Sequence, residues 1–282
     1  INDIPKHDLL IGGFPCQSFS MVGQRKGLDD PRGQLYLEMV KILREKQPSA
    51  FIGENVKGLL SVRGGKVFEE IRRDFENAGY KVYYSILNAS YYGVPQKRER
   101  VFIIGIRNDK KIHFKFPDAP NKIIPLYKVL EQHGLVDKKY YFSKRALAGL
   151  KKANKAFNKG RAQNPLFPCN TISTHLAKVS LNGTDPVLLV KKGRFRRITP
   201  LEAARIQSFP DNFIFDGTDA KKYIQIGNAI PPVLMWYIAN VVSKQIFKHG
   251  RIHKGKKKPD NVPDQIQKYL YRETSIPIST PE

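Results

Sequence analysis

The chain is poor in cysteine: its 282 residues include only Cys16 and Cys169. So few thiols exclude a disulfide framework, and neither sits in a Cys/His group with zinc spacing. Acidic residues are also scarce, 25 Asp+Glu against 49 Lys+Arg, which leaves a formal net charge of +24. That surplus points to a polyanionic partner, because lysine and arginine displace counterions when they meet phosphates. Charge alone does not separate DNA from RNA or acidic lipid. Apolar runs long enough to cross a bilayer are missing, as are a charged-then-apolar leader and any internal repeat. A soluble, cytoplasmic protein with no membrane partner is therefore expected.

What is present alternates between strand and helix. Asp8 to Ile11 is a short apolar run broken by Gly12-Gly13, as in a buried strand that ends in a loop. Leu35 to Arg44 has helical apolar spacing. Ala50 to Gly53 predicts a second strand ending at Glu54-Asn55, and Val67 to Ala78 an amphipathic helix stopped by Gly79. Val82–Leu87 and Val101–Ile106 complete the β-elements, so an α/β sheet with functional groups at its strand ends is expected. From about Asn108 the pattern turns irregular, with a lysine-rich helical stretch over Leu147–Phe157. Order returns at Thr199-Pro200-Leu201-Glu202, a helix start with proline at its first position and a glutamate nearby. Another helix is expected over Pro231–Ile246. The domain reading is 1–108 catalytic, 109–195 a smaller irregular domain, 196–248 a return to the first domain, and 249–282 a basic tail.

Cys16 follows a strand in the glycine-rich turn Gly12-Gly13-Phe14-Pro15-Cys16-Gln17-Ser18, where another molecule has room to approach. A thiolate is a strong nucleophile, yet a lone cysteine is more often a small buried hydrophobe. Other segments change that balance. Gly13-Phe14-Pro15-Cys16-Gln17-Ser18-Phe19-Ser20 resembles the Pro-Cys motif of DNA cytosine-5 methyltransferases of the bacterial or phage restriction-modification type. Glu54-Asn55-Val56 resembles that family's catalytic glutamate motif, and Gln96-Lys97-Arg98-Glu99-Arg100 its Gln-x-Arg-x-Arg signature. Arg197 to Pro210 resembles the helix that organises its recognition domain, and Gln225 to Pro231 its last cofactor-side motif. Five motifs in the family's order are far more specific than any one alone.

The resemblance implies a Rossmann-like class I methyltransferase sheet with a target-recognition domain at 109–195. It implies that Cys16 attacks C6 of a flipped-out cytosine, Glu54 shares a proton with ring N3, Arg100 binds O2, and Arg98 braces the site or a phosphate. Asn55 is expected to fix the loop that presents Glu54. The implied methyl donor is S-adenosyl-L-methionine, with Phe14, Pro15, Leu35 and Asn228 as its expected contacts. Double-stranded DNA is the partner, met by Gln17, Ser18, Ser20, Arg25, Lys26 and Arg32 on a loop hinged at Gly23, Gly27 and Gly33, and by Thr171 of a Thr-Ile pair. Arg161, Gln163, Asn164 and Asn170 are able to reach base edges. Cys169 is expected to be structural.

The family's N-terminal Phe-x-Gly-x-Gly strand and the acidic strands after it are missing. Truncation, favoured by the opening Ile1, or a split enzyme with an N-terminal partner subunit would explain this, and either predicts weak donor binding by these residues alone. A cognate restriction endonuclease is a functional partner. A tRNA cytosine-5 methyltransferase and an inactive DNA-binding subunit remain alternatives.

Overall fold

Short apolar runs bounded by glycine and polar residues bury their backbone polar groups by pairing as strands, and amphipathic stretches cover the resulting sheet. The computed structural model describes residues 1–14, 35–132, 134–152, 161–177, 185–191 and 194–247, and in them the protein is mixed α/β. Two compact units are present. The first contains the described residues of Ile1–Asn88, Glu99–Pro117 and Ala239–Lys254; the second contains those of Ala89–Arg98, Asp118–Ile238 and Gly255–Glu282.

The first unit holds a four-stranded sheet of β1 (Leu9–Gly13), β2 (Ala50–Val56), β3 (Tyr80–Asn88) and β5 (Glu99–Arg107), in the order β1-β2-β5-β3. β1 and β2 are parallel, while β5 runs antiparallel to both of its neighbours. As an inner strand β5 is buried on both faces: Val101, Phe102, Ile103, Ile104 and Ile106 are all at or below 1% exposure. β1 lies at one edge, with Ile11 more than half exposed. Helices α1 (Leu35–Lys46) and α2 (Lys66–Asn77) pack Tyr36, Met39, Val40 and Leu43, and Val67, Phe68, Ile71 and Phe75, into one core with Phe51, Tyr80 and Ile103. Each such burial contributes roughly 1.5–3 kcal/mol. Gly79, at φ 97°, takes the left-handed turn that stops α2. Gly105 is also required, because a Cβ there would stand 1.9 Å from the Phe51 ring.

The elements lie near their expected positions, with one shift that matters. The sequence predicts that the second strand ends at Glu54-Asn55, but β2 continues through Val56. Its ladder to β5 pairs Glu54 with Phe102 and Val56 with Arg100, so both polar residues are within the sheet.

In the second unit two short pairings, β4 (Gln96–Lys97) with β7 (Cys169–Asn170) and β6 (Ala162–Gln163) with β8 (Val187–Lys191) and β9 (Arg194–Arg196), accompany four helices. These are α3 (Lys144–Lys152), α4 (Pro200–Ile206), α5 (Asp219–Asn228) and α6 (Pro232–Val242), the last with its residues from Ala239 onward in the first unit. The described part of the lysine-rich stretch is thus helical, and the expected Pro231–Ile246 helix is α6 followed by one π turn at Ser243–Phe247. α4 opens with a capping box: Thr199 Oγ1 accepts from the Glu202 backbone N–H, and Glu202 accepts from that of Thr199. Fully buried Glu202 also accepts from both Nη atoms of Arg196, at 2.6 and 2.7 Å, and from the backbone of Glu131. One carboxylate thereby ties β9, the helix start and the 131 segment together. The core beneath includes Leu126, Cys169, Ile172, Ile198, Ile206, Tyr223 and Ile226.

The stretch Asp219–Phe247 has the length and hydropathy of a membrane span. Extended Ala229, at ψ 148°, breaks it into α5 and α6, whose Tyr223, Ile226, Val233, Leu234 and Ile238 are buried, as in core helices.

Candidate active site

In an open α/β sheet, ligands meet the carboxyl ends of parallel strands. Here those ends are Gly13-Phe14 after β1 and Glu54-Asn55-Val56 closing β2, with Gly13 and Glu54 in register. Asn55, 3% exposed, donates from Nδ2 to the Phe14 carbonyl at 2.8 Å, and its Oδ1 accepts from Val56 N–H. From sequence, Asn55 is expected to fix the loop that presents Glu54. Glu54 lies in a strand, and what Asn55 holds is the backbone just before Pro15-Cys16.

Glu54 faces Arg100 at the start of β5. Arg100 Nε is 3.1 Å from Glu54 Oε1, with the two side chains 14% and 16% exposed. Arg100 also donates from Nη1 to the Glu99 carbonyl at 2.8 Å. Burial lowers the pKa of Arg100, and the charge of Glu54 opposes that shift. Glu54 is thus held here as half of an ion pair with Arg100.

Arg98 has a different setting. The i, i+2 spacing predicts that Arg98 and Arg100 share a face, but β4 ends at Lys97 and β5 begins at Glu99, so strand alternation is interrupted at Arg98. Arg98 is 3% exposed and donates to the carbonyls of Ile172 (3.3 Å), Gly227 (2.9 Å) and Ala229 (3.2 Å). Its place is among backbone carbonyls of the second unit, and bracing is the role this burial suits.

Of the expected DNA contacts, Thr171 is exposed, its Oγ1 donating to the Lys97 carbonyl at 2.7 Å. The four base-edge candidates divide. Arg161 is buried, with Nε on the Asp185 carbonyl, and Gln163 turns inward to the Arg161 carbonyl and the Asn170 N–H. Asn164 and Asn170 are exposed and keep the candidacy. Pro15, Cys16, Gln17, Ser18, Ser20, Arg25, Lys26 and Arg32, with the hinges Gly23, Gly27 and Gly33, lie outside the described residues. Cys169 is wholly buried, and that burial pushes its thiol pKa far above the ordinary range.

Of the expected donor contacts, Phe14 is buried beside Tyr36 at 6.0 Å between ring centres, Leu35 is half exposed, and Asn228 is exposed. They offer apolar surface and an amide, but no carboxylate for ribose hydroxyls or an ammonium group. Phe14 and Leu35 of the first unit suit the apolar part of S-adenosylmethionine, and Asn228 of the second unit is an exposed amide. No cluster of three or more His, Cys, Asp or Glu suited to a metal occurs among the described residues.

Two buried glutamines stand near the site residues without a sequence signal of their own. Gln96 and Gln207 are fully buried and joined Nε2 to Oε1 at 2.9 Å. Both stand inside quoted motifs, but spacing gives no sign of which polar residues turn inward.

A family model described as C-5 cytosine-specific DNA methylase matches residues 1–244. The chain is similar to the Type II methyltransferase M.SsoII of Shigella sonnei, 37% identical over 252 residues, covering 86% of this chain and 65% of that protein. It is also similar to the Type II methyltransferases M.NlaX of Neisseria lactamica (38% over 238 residues, 82% and 74% covered) and M1.ScrFI of Lactococcus lactis subsp. cremoris (38% over 241 residues, 81% and 60% covered). It thus spans under two thirds of the length of M.SsoII and M1.ScrFI. Among solved structures, S. pombe Dnmt2 methyltransferase matches with a TM-score of 0.66 at 20% identity, over 84% of this chain and 78% of that one. A putative DNA modification methyltransferase from an E. coli prophage matches at 0.63 and 23%, over 87% and 81%. These likenesses show a Rossmann-like methyltransferase fold.

Proposed function

Because the chain belongs to the C-5 cytosine-specific DNA methylase family, we propose that it methylates C5 of a flipped-out cytosine in a specific duplex sequence, as part of a type II restriction-modification system. The observation that carries the reading is the Arg100–Glu54 pair, set on neighbouring strands with its oxygen and nitrogen 3.1 Å apart. A cytosine ring needs a donor at O2 and an acid at N3 while a nucleophile adds at C6, and a guanidinium beside a carboxyl supplies the first two. Cys16 supplies the third: its sulfur bonds to C6, negative charge moves toward N3 and C5, and Glu54 shares the proton at N3. S-adenosyl-L-methionine supplies the methyl group for C5, and Phe14, Pro15, Leu35 and Asn228 are the residues assigned to it. Loss of the C5 proton then expels Cys16.

In this reading 1–108 is catalytic, 109–195 reads sequence, 196–248 returns to the catalytic domain, and the basic tail 249–282 adds phosphate affinity. Thr171 and the loop residues Gln17, Ser18, Ser20, Arg25 and Arg32 contact DNA, and Arg98 braces the site. The protein acts in the cytoplasm beside a cognate endonuclease. The Type II relatives, at 37–38% identity, favour duplex DNA over tRNA.

Labelled methyl transfer to duplex DNA and to tRNA, with and without an added N-terminal partner segment, tests the proposal. Incorporation into DNA, with a trapped adduct on 5-fluorocytosine DNA that Cys16→Ala abolishes, supports it. Methylation of tRNA alone, or an adduct that survives Cys16→Ala, overturns it.

A further inference from the structure

Buried polar side chains persist when they satisfy groups that would otherwise be orphaned, and one such cluster among the described residues of the second unit centres on Arg98, Gln96 and Gln207. The C-terminal carbonyls of a helix have no partner within it. At the end of α5, Gln207 Nε2 donates to the carbonyls of Ile226 (2.7 Å) and Ala229 (3.2 Å), and Arg98 Nη2 to those of Gly227 (2.9 Å) and Ala229 (3.2 Å). A cation at this end also complements the helix dipole.

The same groups reach the segment that bears Asn170 and Thr171. Arg98 Nη1 donates to the Ile172 carbonyl at 3.3 Å, and the Ile172 N–H donates to Gln96 Oε1 at 3.0 Å, so both backbone groups of one residue are held. One residue earlier, Thr171 Oγ1 reaches the Lys97 carbonyl. One residue later, Ser173 and Thr174 press their backbone against Gly227, where a Cβ would stand 2.6 Å from each. Asn170-Thr171 is thus anchored from below by Gln96 and Arg98 and from the side by Gly227, while its own side chains remain exposed.

We propose that Arg98, with Gln96 and Gln207, is a positioning element for sequence recognition: it sets the height and register of Asn170-Thr171 against the end of α5. This rests on the DNA-methylating function proposed above. Base-edge readout depends on hydrogen bonds with tight geometry, so a segment that shifts by a fraction of an ångström loses discrimination before it loses binding. Lysine at position 98 keeps the charge but lacks the planar fork that meets three carbonyls at once.

The test is methylation of a randomised duplex library by the complete enzyme, read by bisulfite sequencing and normalised to active sites titrated with 5-fluorocytosine DNA. Wild type gives a narrow consensus. Arg98→Lys and Gln96→Ala are expected to broaden it, with discrimination against single-base changes falling about tenfold and the KM for the best duplex rising. Leu126→Val, in the same core but away from the cluster, is expected to lower thermal stability and keep the narrow consensus. If Arg98→Lys lowers only the active fraction and leaves consensus and KM as in wild type, Arg98 is merely structural and the inference is overturned. A wild-type enzyme that leaves duplex DNA unmethylated overturns the proposed function itself, a result separable from the first.

Discussion

Arg100 Nε lies 3.1 Å from Glu54 Oε1, and the register that sets Val56 opposite Arg100 and Glu54 opposite Phe102 brings the two side chains together. The pair stores the donor and the acid of the proposed chemistry as each other's counter-ion, which spares either from being buried alone.

Glu54→Gln keeps shape and hydrogen bonding but loses the titrating proton. Single-turnover methyl transfer is expected to fall by about 10²- to 10⁴-fold, the usual worth of a general acid. Unfolding by urea is expected to show a modest loss, because Arg100 keeps a hydrogen-bond acceptor but loses its counter-ion. A rate within threefold of wild type would remove Glu54 from the reaction.

Glu202 has four donors and no exposure. Glu202→Ala leaves Arg196 charged and buried without its carboxylate, and a loss of about 3–5 kcal/mol in unfolding free energy is expected. Replacing both partners, Arg196→Met with Glu202→Leu, should recover a large part of it. The four proteins compared in urea give the coupling energy directly.

At Gly105 a methyl group would overlap Phe51. Gly105→Ala is expected to cost at least about 1–3 kcal/mol through overpacking, and the added Phe51→Leu change to relieve part of that cost. Strict additivity in thermal unfolding of the single and double variants would argue against the contact.

Cys169 offers a test by pH. Its thiol pKa is raised by burial, so the reactive thiolate is depleted across the neutral range and grows only as pH climbs toward that raised value. In a Cys16→Ser protein, iodoacetamide at pH 8 is expected to leave Cys169 unmodified by mass spectrometry until denaturant is added. Rapid labelling of the native protein would contradict the burial.

Much of the fold was legible because it follows from local chemistry. The apolar runs, the amphipathic face of Val67–Phe75, the stop at Gly79 and the Thr199 cap depend on neighbours within a few residues. The antiparallel course of β5 was not, since an apolar strand buried on both faces reads alike in either direction. The site divides in the same way. Glu54 and Arg100 are picked out by motif, and the structure joins them as an ion pair, whereas Arg161 and Gln163, expected to be able to reach base edges, are enclosed, as is the bracing residue Arg98. Their burial is decided by segments 74 to 131 residues away, such as the Ile172 and Ala229 carbonyls for Arg98, or by a carbonyl 24 residues on, that of Asp185, for Arg161.

β1 has consequences at the bench. Among the described residues only β2 pairs with it, and its other edge shows Ile11 within an apolar Leu9–Gly13 run. A sheet edge of this kind recruits whatever extended chain is nearby, including further copies of itself. Self-association through that edge is the expected failure of a concentrated preparation, and light scattering against concentration would show it. A lysine at position 11, pointing a charge where isoleucine now stands, is the simplest way to keep the preparation monodisperse.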